Sequence, residues 1–277
     1  MQKKRFVIND IAKQLNVSVT TVSFIINGKS KEKRISEELT SKVLELVEKV
    51  GYVPNQLAKS LRTGKTNIIA LIVEDISNVF FATVARLIEE EANAKGYKII
   101  YCSSDNDVYK TRELLKVFRE RQVDGYIITP SPGIEEDIAA LMADRLPVVL
   151  FDRRLAEVAT NYVGVDNEQG TYMAIQHLIE QGYKRIAFVT LNTEQSQMQE
   201  RLNGYKRAIE AHELKPCVKK VQEHHQSERL VEEIVKMLSR KNNLDAVFFA
   251  TNYLGISGLD ALKRMGLRIP GDVAVAT

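Results

Sequence analysis

Cysteine is scarce in this chain of 277 residues, and long apolar runs are missing. Its two cysteines, Cys102 and Cys217, are far apart and support neither a disulfide framework nor a zinc site, so we predict a reducing, cytoplasmic location. The longest aliphatic run, IIALIV at 68–73, is too short to span a bilayer, and no apolar signal-peptide core follows the basic start. The sequence therefore predicts a protein with no membrane partner.

The motifs of common catalytic and cofactor sites are missing as well. Neither GxxxxGK[ST] nor GxGxxG occurs, and HExxH and GxSxG are absent. The adjacent histidines His224 and His225 lie in a charged stretch, which is more typical of a solvated surface than of a metal site. Because no nucleophile is paired with a base, we predict no enzyme, no cofactor and no metal.

Charge is divided unevenly along the chain. Residues 1–66 hold 13 basic and 6 acidic side chains, a net charge of +7, whereas the remainder holds 26 basic and 30 acidic ones. A small basic N-terminal segment followed by a mildly acidic remainder is expected of a nucleic-acid-binding domain joined to another domain. A solvated basic surface without a nucleic-acid partner is the alternative.

The first 54 residues have the pattern of three short helices. Asn9 or Asp10 is placed to cap the first helix, Ser18 caps the second, and Ser36 begins the third. Because almost nothing separates the first two helices, the pattern predicts a helix-turn-helix domain over 1–54, whose second helix enters the major groove of DNA.

An aromatic side chain is predicted on the outer face of that second helix. Phe24 lies two positions, about 200° of helical rotation, beyond the apolar Val22, so it faces away from the core. Lys29, Lys31, Lys33 and Arg34 follow in a loop, where they suit phosphate contacts. The predicted DNA-binding residues of this domain are Ser18, Val19, Thr20, Thr21, Ser23, Phe24, Asn27, Lys29, Lys33 and Arg34.

Residues 55–66, NQLAKSLRTGKT, have two interpretations. The segment is too short to be a stable helix alone, so one is a plain linker. The other is a hinge that becomes helical on DNA, with Leu61 as an apolar wedge in the minor groove and Arg62 on phosphates. Under the second interpretation Asn55, Ala58, Leu61 and Arg62 contact DNA.

From residue 67 onward, apolar strand patterns alternate with helical ones, which predicts parallel α/β sheets with right-handed crossovers. The pattern restarts near residue 166, so we predict two lobes, 67–165 and 166–277, with a cleft between them. The predicted strands are 67–73, 97–102, 123–129, 147–151, 186–190, 245–250 and 273–276.

Ligands of open parallel sheets bind beyond the carboxyl ends of the strands. The residues there are Phe80, Phe81, Asp152, Arg153, Arg201, Thr251 and Asn252. Carboxylate, guanidinium and amide groups together suit a polyhydroxylated ligand, because each can hold two hydroxyls. Structural alternatives remain open: Asp152 capping a turn, Arg201 paired with a nearby glutamate, and the phenylalanines packed in a core.

From about residue 6 to the last residue, the chain resembles the lactose-repressor/galactose-repressor family of bacterial transcription regulators. The resemblance is carried by VINDIAKQLNVSVTTVSFIING, by GYVPNQLAKSLRTGKT and by the residues that follow them. The resemblance implies a periplasmic-binding-protein-like body that binds a sugar or other small effector. It matches Asp152 and Arg201 to the family's ligand-binding Asp and Arg. It matches Phe80 and Phe81 to residues that line the pocket, and Val19 and Thr20 to base-facing residues.

One position departs from the family pattern. The family usually has Arg where this chain has Phe24. An arginine reads guanine, whereas phenylalanine makes only apolar contact, for instance with a thymine methyl group, so we expect a different operator base at that position. The alternative is that Phe24 packs against the hinge or a partner subunit.

These observations predict a DNA-binding regulator, most simply a repressor, that binds operator DNA as a homodimer and responds to a small, sugar-like effector. The alternative from another class is a sugar-binding protein without a DNA role. The family has a further segment after the position of the final VAVAT, so we expect an incomplete C-terminal lobe.

Overall fold

The computed structural model describes residues 6–53, 60, 63–222, 227–239 and 244–277. It divides the chain into two compact units, Met1–Thr66 and Asn67–Thr277. The predicted hinge contacts Asn55, Ala58, Leu61 and Arg62 lie outside the described residues, as does the histidine pair. In the part of the chain that is described, no helix is both long and apolar enough to cross a membrane.

The described part of the first unit contains the three predicted helices α1, α2 and α3. They span Ile8–Gln14, Val19–Ile26 and Glu37–Val50. Apolar residues at helical spacing meet in one small core, which consists of Ile11, Ala12, Val22, Ile25, Val43 and Leu46. The predicted caps of α2 and α3 are confirmed, because Ser18 Oγ accepts from Thr21 N–H at 3.0 Å and Ser36 Oγ accepts from Leu39 N–H at 3.3 Å.

The predicted cap of α1 is wrong. The helix begins earlier than expected, and its N-cap is Val7. Asp10 lies inside the first turn, where its carboxylate accepts the Val7 N–H at 3.1 Å. An acidic residue at this place still serves the helix, because it satisfies one of the free N–H groups at the amino end.

The second unit begins with a five-stranded parallel sheet in the order β2-β1-β3-β4-β5. Its strands are β1 Ile68–Val73, β2 Lys98–Ser103, β3 Gly125–Ile128, β4 Val148–Phe151 and β5 Asn161–Val163. The helices that connect them are α4 Val79–Ala94, α5 Val108–Glu120 and α6 Glu135–Ala143. β1 is buried from Ala70 to Val73, as its continuous apolar sequence predicts.

A four-stranded parallel sheet follows, in the order β7-β6-β8-β9. Its strands are β6 Ile186–Leu191, β7 Cys217–Val221, β8 Ala246–Phe249 and β9 Ala274–Ala276. Its helices are α7 Asn167–Glu180, α8 Ser196–Ala211, α9 Ser227–Leu238 and α10 Asn252–Arg264. The predicted fold class, a helical domain followed by parallel α/β sheets, is thereby confirmed.

Three elements were not predicted from the sequence: β5, β7 and α9. β5 has only three residues, and β7 carries Lys219 and Lys220, so neither forms an apolar run. α9 did have a signal, since Leu230, Val231 and Ile234 occur at helical spacing and are all buried.

Candidate functional site

A cavity of about 250 Å³ lies at the carboxyl ends of the two parallel sheets of the second unit. The loops after β1, β4, β6 and β8 bring their side chains to it, as expected for open parallel sheets. Its lining residues are Glu74, Asn78, Phe80, Phe81, Asp152, Arg153, Gln195, Gln197, Met198, Arg201, Thr251, Asn252 and Tyr253.

All seven residues that the sequence analysis placed in a ligand site line this one cavity. The polar lining residues that were not predicted from the sequence are Glu74, Asn78, Gln195, Gln197 and Tyr253. Only their positions after the strands could have indicated that these residues line the cavity. Glu74 directly follows β1, and Asn78 is the N-cap of the next helix, α4. Gln195 is the N-cap of α8, Gln197 lies in its first turn, and Tyr253 follows the predicted Asn252.

Arg201 is held in place by two elements besides its own helix α8. Its Nε donates to Asn167 Oδ1 at 2.8 Å, and its Nη1 donates to the carbonyl of Ala250, just after β8, at 2.5 Å. Burial lowers the pKa of Arg201, and the nearby Asp152 opposes that shift. The guanidinium remains charged, since arginine titrates far above neutral pH, and is thus an oriented donor for ligand oxygens.

Asp152 lies at the end of β4 in an unusual backbone conformation. Its φ angle is 68°, in the left-handed region that residues other than glycine seldom adopt. β5 stabilises it, because Asp152 N–H donates to the Val163 carbonyl at 3.0 Å and the Tyr162 hydroxyl donates to the Asp152 carbonyl at 3.1 Å. The short strand that the sequence did not reveal therefore positions a predicted ligand-binding carboxylate.

The electrostatics of Asp152 are set mainly by its burial. Burial raises the pKa of this carboxyl above its ordinary value, although Arg153 and Arg201 act in the opposite direction. Its closest described ion partner is Arg153, whose Nε lies 3.7 Å from Asp152 Oδ2. A ligand hydroxyl that donates to this carboxylate would replace part of the hydration that burial removes.

Arg153 is more deeply buried than the sequence suggested. Its side chain is only 4% exposed and forms an ion pair with Glu74 across the end of the sheet. Its Nη1 also donates to Asn106 Oδ1 at 2.7 Å, and its Nε has no hydrogen-bond partner among the described residues. The guanidinium thus joins the loops after β1, β2 and β4 and forms one wall of the cavity.

The two phenylalanines have different environments. Phe81 is 4% exposed and packs with Leu71, Val73 and Ala85. Its environment is therefore that of a core residue, which was the alternative interpretation of this side chain. Phe80 is 42% exposed, with its ring stacked on Phe151 at a centroid distance of 6.1 Å. Phe80 therefore offers the cavity an aromatic surface, and Phe81 supports it edge-on at 5.1 Å.

Thr251 and Asn252 lie where α10 begins. Thr251 is the N-cap of this helix, and its Oγ accepts from Leu254 N–H at 3.3 Å. Asn252 Nδ2 donates to Asn78 Oδ1 at 3.4 Å, which joins the start of α10 to the start of α4. This contact runs between the lobes that carry the two sheets, so the cavity is bounded on both sides.

A second cavity, of about 400 Å³, adjoins the first and shares Arg153 and Gln195 with it. Beside it, Arg154 Nη2 pairs with Glu200 Oε1 at 2.6 Å, and Arg154 N–H donates to Ser196 Oγ at 3.1 Å. Glu200 Oε2 in turn accepts from Asn167 at 3.1 Å, and Asn167 holds Arg201. These polar contacts link the loop after β4 to helix α8.

Among the described residues, no cluster of acidic, histidine or cysteine side chains could hold a metal.

The first unit presents the predicted reading face of α2. Ser18, Val19, Thr20 and Asn27 are exposed, and Thr21, Ser23 and Phe24 are half-buried. Several of these side chains have hydrogen-bond partners: Asn27 Nδ2 donates to the Ser23 carbonyl at 2.7 Å, and the hydroxyls of Ser18 and Thr21 are 2.8 Å apart. Lys29, Lys33 and Arg34 are exposed in the loop that follows. Val19 and Thr20 are therefore the most accessible base-facing candidates on the helix itself.

The ring of Phe24 is in contact with another side chain. The ammonium of Lys33 lies 5.4 Å from the centroid of its ring, within the range of a cation–π interaction. Lys33 also forms an ion pair with Glu32 at 2.9 Å. Both residues were predicted on the DNA-binding surface, but no pattern in the sequence indicates that they touch.

A helix-turn-helix unit followed by a two-sheet unit with a polar cavity defines a ligand-responsive DNA-binding regulator. Residues 7–55 match the model of the bacterial regulatory proteins of the lacI family, and residues 69–277 match a periplasmic binding protein domain. The chain belongs to the lacI family and is a DNA-binding transcriptional regulator, which confirms the resemblance in the sequence.

Similar proteins cover nearly the whole chain. Catabolite control protein A of Priestia megaterium is 33% identical over 270 residues, which are 97% of this chain and 80% of that protein. The ribose operon repressor of Halalkalibacterium halodurans is 30% identical over 97% of this chain and 78% of its own length. The fold is shared with the lac repressor dimer bound to operator and the anti-inducer ONPF, at a TM-score of 0.84 and 20% identity over 98% of this chain and 82% of that one. The names of these two sequence relatives describe a control protein and an operon repressor.

Proposed function

We propose that this protein is a cytoplasmic repressor that binds a pseudo-palindromic operator as a homodimer and is controlled by a small polyhydroxylated effector, most simply a sugar. The observation that carries the effector assignment is the convergence of Asp152, Arg201, Phe80 and Asn252 on one cavity. Carboxylate, guanidinium and amide groups bind hydroxyls, and an exposed ring packs against the C–H face of a sugar. The names of the relatives support the role of repressor.

The DNA assignment is supported by the reading face of α2 and by the basic loop after it. Val19, Thr20 and Phe24 are assigned to base edges, and Lys29 and Arg34 to phosphates, with Ser18, Thr21, Ser23 and Asn27 around them. One helix-turn-helix unit reads one half-site, so two copies on a two-fold operator follow from the geometry of this motif. The hinge contacts proposed from the sequence are added at Asn55, Ala58, Leu61 and Arg62.

We propose that effector binding and DNA binding are thermodynamically coupled. A ligand in the cavity contacts residues of both lobes, so it favours one arrangement of the lobes over others. If that arrangement has a different operator affinity, the coupling amounts to about 1–3 kcal/mol, as is typical of allosteric proteins.

Two measurements on the full chain test this function. A selection on randomised duplex DNA should enrich a two-fold symmetric sequence, and the affinity should fall steeply as salt rises because phosphate contacts release counterions. A thermal-shift screen of sugars and sugar phosphates should raise the melting temperature with at least one compound. Sugar binding without any salt-sensitive DNA binding would instead favour a sugar-binding protein with no DNA role.

A further inference from the structure

The loop between α2 and α3 folds back onto the reading helix. Phe24 and Lys33 are nine positions apart, yet the Lys33 ammonium lies 5.4 Å from the centre of the Phe24 ring. Phe24 is half-buried, and the Lys33 side chain remains 41% exposed. The ammonium is thus held near the outer face of α2 while it stays accessible to a partner.

Backbone hydrogen bonds fix this loop. Lys29 N–H donates to the Phe24 carbonyl at 2.9 Å, and Lys33 N–H donates to the Lys29 carbonyl at 3.0 Å. Ile35 N–H donates to the Ser30 carbonyl at 2.9 Å within the loop, shortly before α3 begins. Because the loop is bonded to α2 at its start and to itself at Lys33 and Ile35, the backbone that carries Lys33 has a defined path in the absence of DNA.

We propose that Lys33 reads a base in the major groove and that Phe24 positions it there. This inference rests on the proposed function, in which α2 enters that groove. Phe24 has no polar group, so it cannot donate to a base edge. An ammonium beside its ring supplies the missing donor, and the matching acceptors are O6 and N7 of guanine.

The contacts favour this role over those assigned from sequence alone. With the ammonium over its face, the Phe24 ring has less free surface for a thymine methyl group. Glu32 lies 2.9 Å from Lys33, and its charge opposes the approach of a phosphate. Lys29, Lys31 and Arg34 have no ion pair among the described residues, so they are better suited to the DNA backbone.

The experiment compares operator selection and affinity for the wild-type full chain with three single variants, K33M, F24A and K31M. Lys31 is the matched control because it lies in the same loop and has no ring contact among the described residues. K33M should lose preference at one base pair of each half-site, with discrimination there falling about tenfold or more, at an unchanged salt slope. K31M should weaken binding to all sequences alike and reduce the salt slope by about one.

F24A should lose the same base preference as K33M, and the double variant F24A/K33M should be no worse than either single variant. The thermal melt of each variant shows that the helical unit is folded, and K33M tests the inference by itself, because Lys33 is a surface residue. A uniform loss of affinity with a smaller salt slope in K33M would make Lys33 a phosphate contact and overturn the inference. An unchanged base preference in K33M would overturn it as well. If the wild-type chain bound no duplex, the proposed function would fail first.

Discussion

Asn167 and Arg201 are joined by a 2.8 Å hydrogen bond between the amide oxygen of one and Nε of the other. Asn167 is 4% exposed, and its amide nitrogen donates to Glu200 Oε2 at 3.1 Å. The amide therefore lies between a guanidinium and a carboxylate, with the correct group turned toward each. This contact fixes α8 against the first turn of α7 and orients the guanidinium at the cavity wall.

Asn167→Ala should destabilise the second unit. The change leaves a buried guanidinium N–H and a carboxylate oxygen without their partner, which costs about 1–3 kcal/mol. Urea unfolding monitored by circular dichroism measures the loss. Asn192→Ala is the control, because Asn192 is an exposed asparagine of the same unit, and its change should fall within about 0.5 kcal/mol. Equal denaturation midpoints for the two variants would show that the Asn167 contacts contribute nothing to stability.

Truncation of Phe81 should destabilise the protein more than truncation of Phe80. Phe81→Ala empties a buried site against Leu71 and Val73, so unfolding should become easier by about 3–5 kcal/mol. Phe80→Ala removes a half-exposed ring and should cost about 1 kcal/mol, mostly from lost stacking on Phe151. The same urea titration compares both variants.

Ligand response separates the pair further. A sugar that raises the melting temperature of the wild-type chain should lose most of that effect in Phe80→Ala, because the aromatic surface of the cavity is gone. An undiminished shift in this variant would remove Phe80 from the ligand site. It would leave the proposed roles of Asp152 and Arg201 intact.

The carboxyl ends of strands could be predicted from sequence because apolar runs mark buried parallel strands and their last residues fall at one edge of a sheet. Asp152 and Thr251 were located in this way, and both line the cavity. Helix caps at Ser18 and Ser36 were equally predictable, since they depend on residues three positions apart.

What could not be predicted depends on contacts between distant residues. Arg153 was predicted in the ligand site and lines the cavity, but no local pattern indicates that its guanidinium is bound to Glu74, 79 positions earlier, and to Asn106. β5 has no apolar run, and its purpose becomes visible only through its hydrogen bonds to Asp152. Lys33 above Phe24 belongs to the same class, because no local pattern indicates which lysine of a loop folds back.

Gly204 of α8 and Gly170 of α7 should respond oppositely to alanine. A Cβ at Gly204 would overlap the backbone carbonyl of Glu168, so α7 and α8 would have to separate. Overpacking of this kind typically costs about 1–3 kcal/mol, which exceeds the helix propensity gained. At Gly170 a Cβ meets nothing within 4 Å, and alanine should add about 0.5–1 kcal/mol through helix propensity. Thermal unfolding of both variants decides the matter, and a stabilised Gly204→Ala would mean that the two helices are not in close contact.

Effector affinity should rise with pH as Asp152 ionises. Burial raises the pKa of this carboxyl in the free protein, so part of it is protonated above the usual range for aspartate. Ligand hydroxyls donate to the ionised form, which means that binding favours loss of the proton and lowers this pKa. As the pH rises toward the raised pKa of the free protein, the effector affinity therefore increases, by at most about tenfold per pH unit because one proton is released. Above that pKa the affinity reaches a plateau.

Isothermal titration of a sugar identified by thermal shift, repeated across acidic to neutral pH, measures this dependence. Asp152→Asn is the control, because an amide keeps the shape of the side chain but has no proton to lose in this range. The variant should bind more weakly at neutral pH and show a flat profile. A rise that persisted in Asp152→Asn would show that Asp152 is not the group whose ionisation strengthens binding. A wild-type affinity that fell with rising pH would exclude an ionised Asp152 as the hydroxyl acceptor.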